Sequence, residues 1–367
     1  MKVKTLLIMF LFVCTQVFAQ GDGSVTEVSK NGSKLTVCAF EKVKDKKTIP
    51  LSQLVENCTL VQLEYTEDAL FKPWFTTVTE KYIGVRQPEQ GEYKLFDRSG
   101  KFLCNVGKVG NGPGEYAITL YDDIIDDKNE LVYLAPFTGD KIWVYTTAGQ
   151  FVKEIISPIR LKKPKIFLDG DVLSVVHMAF NGDKAIAIQF DVKNGKVIKE
   201  LPPPVHFLVG DFNGEIFNTR NTSSFDFAHT NSDTLYHYNP KNNTIEPVFT
   251  MSYNASEKPY RQYYESKNHY LTNIFGKGLV MTHPKTKTSS FVTIVNDFYG
   301  NMETPCYIVH MRNGYYVYNL EPGQLMEAIE KRLAEGSCSN QDKEKLKKVM
   351  DTLDEDNNNL VFIGKLK

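Results

Sequence analysis

Residues 97–116 read DRSGKFLCNVGKVGNGPGEY, and residues 141–155 read KIWVYTTAGQFVKEI. Each is built as a strand, a two-residue turn ending in glycine (Ser99-Gly100, Ala148-Gly149) and a returning strand, the signature of a β-hairpin. The design recurs after roughly 50 residues, and a period of that length predicts a propeller or a similar array of sheets. A repeat of this kind constrains the fold far more than it constrains the activity.

Outward from these hairpins the chain continues as short β-branched and aromatic runs bounded by Gly, Asn, Asp or Pro. Examples are residues 59–64, 75–85, 93–97, 124–126, 172–177, 185–191, 225–228 and 245–251. The class is therefore all-β. Helix is expected in three places. Residues 256–271 place Tyr260, Tyr263, Tyr264, Lys267 and Leu271 at helical spacing. Residues 322–335 carry Pro322 in the first turn, Leu325, Ile329 and Leu333 on one stripe, and Gly336 just past the end. Residues 340–353 follow a cap at Ser339 and Asp342 and present Leu346, Val349, Met350 and Leu353. Residues 360–366, LVFIGKL, then return to strand character. A ring of sheets has to be closed, so this last strand is expected to pair with strands from the start of the chain.

The first 19 residues read as a secretory signal: Lys2 and Lys4, an apolar run from Leu6 to Val13, and a Val17-Phe18-Ala19 cleavage pattern. Lipid anchoring at Cys14 is disfavoured, because Val13 stands where a small residue is wanted. The protein is thus expected in the periplasm or at the cell surface, with residues 20–57 leading into a propeller over 58–367. No later run has the apolar length of a membrane span. Without the signal, 43 basic residues fall to 41 against 44 acidic ones, a formal balance of −3. The lysine-rich patches at 42–47 and 343–348 are short and interrupted by acids, which speaks against a nucleic-acid partner. Five cysteines remain, so at least one is unpaired. A Cys38–Cys58 bridge is open to an exported protein, although spacing alone does not decide connectivity.

Taken together, GKFLCNVGKVGNGPGEY (residues 100–116), SDTLYHYNP (232–240), the secretory start and the closing DTLDEDNNNLVFIGKLK (351–367) carry a resemblance. The chain resembles the six-bladed β-propeller family of exported Bacteroidetes proteins, whose blades are related in design to NHL repeats. The resemblance implies about six four-stranded blades around a central channel and no particular activity. Residues 156–225 depart from clear repeat form.

Few motifs point to chemistry. Gly107, Gly110, Gly112 and Gly114 do not make a phosphate loop, because Pro113 lacks an N–H and no helix follows. They are expected instead to supply positive φ at a blade crossover, with Glu115 accepting backbone hydrogen bonds. The seven histidines show no HxH or HxxxH spacing, and there is no CxxC, so neither a metal nor a cofactor is implied. No GxSxG elbow marks a serine nucleophile. Asp122-Asp123 and Asp126-Asp127 are expected as turn residues, since neighbours on a strand point to opposite faces and do not form a dyad.

Arg220 and His229 flank the polar, aromatic stretch NTSSFDFAHT and suit a loop that faces a ligand; the plainer alternative is a solvated turn over a core Phe225 and Phe227. Trp74, Tyr263 and Tyr264, with Tyr260 and Tyr270, suit a platform for sugar rings or a protein partner, though blade-to-blade packing uses the same residue types. The leading expectation is a non-enzymatic binding module for a protein or glycan. The alternative is a lyase or hydrolase acting on a glycan or peptide at the channel mouth.

Overall fold

A computed structural model describes residues 21–30, 32–254, 258–305 and 310–367, and over them the chain is a six-bladed β-propeller. The signal reading of residues 1–19 and the cysteine Cys306 lie outside the described residues. Blades 1 to 5 span residues 75–106, 120–162, 165–201, 216–252 and 261–296, each with four antiparallel strands in sequence order from the axis outward. Blade 6 is assembled from both ends of the chain. Its strands are His310–Arg312, Tyr315–Leu320, Leu360–Lys365 and, outermost, Thr59–Gln62. Two helices, Pro322–Ala334 and Asn340–Met350, are inserted between its second and third strands. Their buried faces, Leu325, Ile329 and Leu346, pack on the wedge between blades 5 and 6.

The hairpin at residues 93–106 shows why these segments become strands. Asp97 Oδ1 accepts from the Ser99 N–H at 2.8 Å and the Lys101 N–H at 3.1 Å, and Gly100 takes φ +92°, so the side chain of the first turn residue closes the turn. Tyr93, Leu95 and Phe96 are fully buried between neighbouring blades. The N-terminal segment belts the outer rim. Ser33–Ala39 runs parallel to the last strand of blade 4, and Lys46–Pro50 runs parallel to that of blade 5. Edges that would otherwise offer unpaired N–H and C=O groups are thereby covered.

Several expectations are corrected. Residues 258–271 are not a helix, and residues 256–257 lie outside the described residues. Arg261–Glu265 and Tyr270–Ile274 are the first two strands of blade 5, joined by a turn closed by the Ser266 N–H on His269 O at 3.0 Å. An inner strand is buried on both faces, so apolar spacing there does not report a helix. Residues 75–85 are two strands, Phe75–Val78 and Tyr82–Arg86, rather than one. Cys38 and Cys58 are both free, because Cys38 packs between blades 4 and 5 and Cys58 in the wedge of blades 5 and 6. Residues 156–225, where the repeat was hard to read, contain blade 3.

Candidate functional site: the axis and its two mouths

The innermost strands all begin at one face of the disc, here the front, and end at the other, the rear. Between the two mouths, the axis is filled by charge. Asp122 and Asp123 sit on the inner strand of blade 2, both with zero exposure, and are not the turn residues expected from sequence. Facing opposite sides of one strand, they share Arg312 but otherwise reach different partners. Asp122 accepts from Arg312 of blade 6 through one oxygen, and through the other from the Ile166 N–H at 2.8 Å, with Arg220 Nη1 at 3.7 Å. Asp123 accepts from Tyr93 Oη at 3.0 Å and lies 3.3 Å from Arg86 Nε and 3.9 Å from Arg312. Arg220 also donates to Ile166 O at 3.0 Å and to Asp123 O at 2.8 Å, and Lys165 of blade 3 donates to Tyr121 O at 3.3 Å. Blades 1, 2, 3, 4 and 6 are thus joined through one buried ion cluster.

Burial alone would raise the Asp122 pKa, but Arg220, Arg312 and Lys165 together outweigh it and hold the carboxyl well below the usual carboxylate range. Burial pushes the Lys165 ammonium well below its ordinary value, and the attraction of Asp122 recovers only part of this. Four cations (Arg86, Lys165, Arg220, Arg312) face two hub carboxylates; a third acid, Asp226, is taken up by the Thr219 N–H and hydroxyl and the Arg220 N–H at 2.7–2.8 Å.

At the front mouth the aromatic rings form an arc. Trp74 lies 6.1 Å from Tyr121, Tyr121 lies 5.6 Å from Phe137, Phe137 stacks on Phe212 at 5.8 Å, and Phe180 meets Phe212 edge-on at 4.8 Å. Tyr260 and Phe275 continue it on blade 5 at 4.7 Å. Beneath the arc, Arg86 sits 5.2 Å from the Trp74 ring. Lys163 Nζ donates to Glu215 Oε1 at 2.6 Å, while Tyr121 Oη donates to the other Glu215 oxygen. His229 stands at the front end of its strand, where burial and the Lys163 charge push it down to about 4, so its ring is neutral at pH 7.

The rear mouth opens into a cavity of about 480 Å³ to which every blade contributes, including Val78, Ile124, Phe167, Arg220, Lys267 and Tyr315.

The structure separates the residues singled out from sequence. Arg220 reaches the hub and the rear cavity, whereas Trp74 and His229 belong to the front mouth, so Arg220 and His229 do not converge. Neither lies on a solvated turn: Arg220 is 9% and His229 4% exposed. Tyr263 and Tyr264 are buried in blade packing, Tyr263 edge-on to Phe249 at 5.4 Å and donating to Asp233 O at 2.7 Å. Of the four loop glycines only Gly107 and Gly114 have positive φ. Gly110 and Gly112 are small for another reason. The Glu115 carboxylate folds over them and accepts from the Gly112 N–H at 2.8 Å, where a Cβ would collide with it. Arg86, Lys165 and Arg312 were missed. The available signal was a charge embedded in an apolar inner strand, as in LYDDIID at 120–126.

The family model described as a domain of unknown function, DUF4934, matches residues 35–365. The chain belongs to this family. Among solved structures, this DUF4934 propeller is similar to a Bacteroides fragilis protein described as exported, at 14% identity and a TM-score of 0.62, covering 89% of this chain and 99% of that one. It is also similar to a member of the duf4221 family from Bacteroides vulgatus, at 11% identity and a TM-score of 0.47, covering 86% and 98%. At these identities the likeness is one of fold. No curated protein matches the sequence. Among the described residues, no helix is long and apolar enough to cross a membrane.

Proposed function

We propose that this propeller is an exported binding module whose front mouth seats a glycan. The reading is carried by the rings from Trp74 to Phe180 across blades 1 to 4, with Phe212 exposed, Trp74, Phe137 and Phe180 partly exposed and Tyr121 buried beneath them, beside the partly exposed Glu215 carboxylate. Flat apolar faces next to a fixed hydrogen-bonding group match the alternating C–H and O–H surfaces of a sugar ring. Export is supported by the charged, apolar and small-residue order of residues 2–19, which reads as a secretory signal and fits a periplasmic or cell-surface location.

The test is a glycan array on the mature protein, followed by titration of the best sugar against Trp74→Ala and Phe212→Ser. Phe212 is 41% exposed, so its loss leaves the core intact. Saturable binding weakened about tenfold or more by each substitution supports the reading. Binding that ignores both substitutions, capture of a protein partner but no sugar, or conversion of the sugar to product overturns it.

A further inference from the structure

The cavity at the rear mouth lies on the opposite side of the hub from the aromatic arc, and its electrostatics differ. Its acids are already engaged. Glu80 pairs with Lys365 at 2.5 Å, and Asp127 accepts from Thr79 Oγ1 at 2.7 Å and the Lys81 N–H at 3.2 Å. Its remaining cations are not matched in the same way. Lys267 is exposed on the rim and has no carboxylate partner among the described residues. Arg220 lines the cavity from within and is backed by a hub in which three guanidiniums and Lys165, its pKa pushed well down by burial, face Asp122 and Asp123, with Asp226 held by the Arg220 and Thr219 N–H groups. The Arg220 Nε–H and Arg312 Nε–H are buried and have no hydrogen-bond acceptor. In a chain whose formal charge is only −1, positive charge is therefore concentrated on the axis, where low-dielectric walls focus its field into the recess. Val78, Ile124 and Phe167 give the cavity apolar lining as well.

We propose that the rear cavity is a second binding site, distinct from the glycan mouth, for a small organic monocarboxylate. Its acid group lies toward Arg220 and Lys267, and its apolar body lies against Ile124 and Phe167. The volume of about 480 Å³ falls within the usual range for small-molecule sites. The hub stays intact when the ligand leaves, because Asp122 and Asp123 hold the guanidiniums in either state.

The experiment is calorimetric titration of the mature protein with benzoate, hexanoate and indole-3-acetate, each against its neutral amide, with acetate as the acid lacking a body. At least one of the three acids is expected to bind saturably, tenfold or more tighter than its amide and than acetate, and more weakly as salt is added. Lys267→Met is expected to weaken it several-fold and Lys267→Glu tenfold or more, while Phe212→Ser at the front mouth leaves it unchanged. Equal affinity for acid and amide, saturable binding by none of the three acids, or an affinity that ignores both Lys267 substitutions overturns the proposal. Loss of sugar binding in Phe212→Ser bears only on the front mouth, so the two readings fail independently.

Discussion

Val361 and Val61 face each other across the outer half of blade 6, one from near each end of the chain, and this pairing closes the ring. Val361, Phe362 and Ile363 are at most 1% exposed, and burying each such side chain contributes about 1.5–3 kcal/mol. Deleting residues 359–367 is therefore expected to abolish the single cooperative melting transition, as followed by circular dichroism. A truncated protein with an unchanged melting curve would refute closure by this strand.

The hub makes Asp122 sensitive to substitution. Asp122→Asn leaves Arg312 and Arg220 facing a neutral amide with no solvent to compensate them. Breaking a buried pair in this way costs about 3–5 kcal/mol, which for a chain of this length lowers the melting temperature by about 4–7 °C. Asp126→Asn, at the partly exposed end of the same strand, is the control and should shift it little. Equal small shifts in the two variants would mean that the cluster contributes nothing to stability.

Acid sensitivity follows from the buried histidines. His177, His229 and His269 are each pushed down to about 4, by burial first, from an ordinary value of about 6.5. Between those pH values the unfolded chain binds protons that the folded one refuses, so their contribution is complete above about 6.5 and is lost as pH falls toward 4. His237 works in the opposite sense: burial lowers its pKa, but Glu265 at 2.7 Å outweighs this and raises it, so its contribution is present below about 6.5 and is lost as pH rises through its folded value. His283 is lowered in the same direction by burial, so four groups oppose one, and below about pH 4 the depressed Asp122 adds to the loss. The melting temperature is expected to fall steadily from pH 7 to 4.5, with a shallower slope in His177→Gln; a flat or rising profile contradicts this.

The loop at 107–116 offers a coupling test. Gly110→Ala places a methyl group on the Glu115 carboxylate and should cost about 1–3 kcal/mol. Glu115→Ala removes the Gly112 N–H acceptor and should cost about 1 kcal/mol. Because the second change removes the obstacle met by the first, the double variant should be more stable than the sum predicts. Strict additivity in urea unfolding would show that the two residues do not touch.

Local chemistry made the blades legible. Asp97-Arg98-Ser99-Gly100 can scarcely do anything but turn, since Gly100 takes the left-handed φ and Asp97 accepts the loop N–H groups, and the flanking β-branched and aromatic residues supply the strands. The helices at Pro322–Ala334 and Asn340–Met350 were legible for the same reason, their apolar stripes and caps being local signals. Residues 260–271 were misread because an inner strand buried on both faces has no alternation, and tyrosines at spacings of three and four imitate a helical stripe.

The amino-acid order by itself determined the repeating hairpins, the all-β class and the helical insertion, because turn and strand preferences act over a few residues. Tertiary structure alone decided that Asp122, Arg220 and Arg312, from blades 2, 4 and 6, share one buried cluster, and that Trp74 and Arg220 open onto opposite mouths. Those relationships are set by closure of the ring. Closure brings residues about ninety to a hundred and ninety positions apart to a common axis, where charges remote in sequence act on one another.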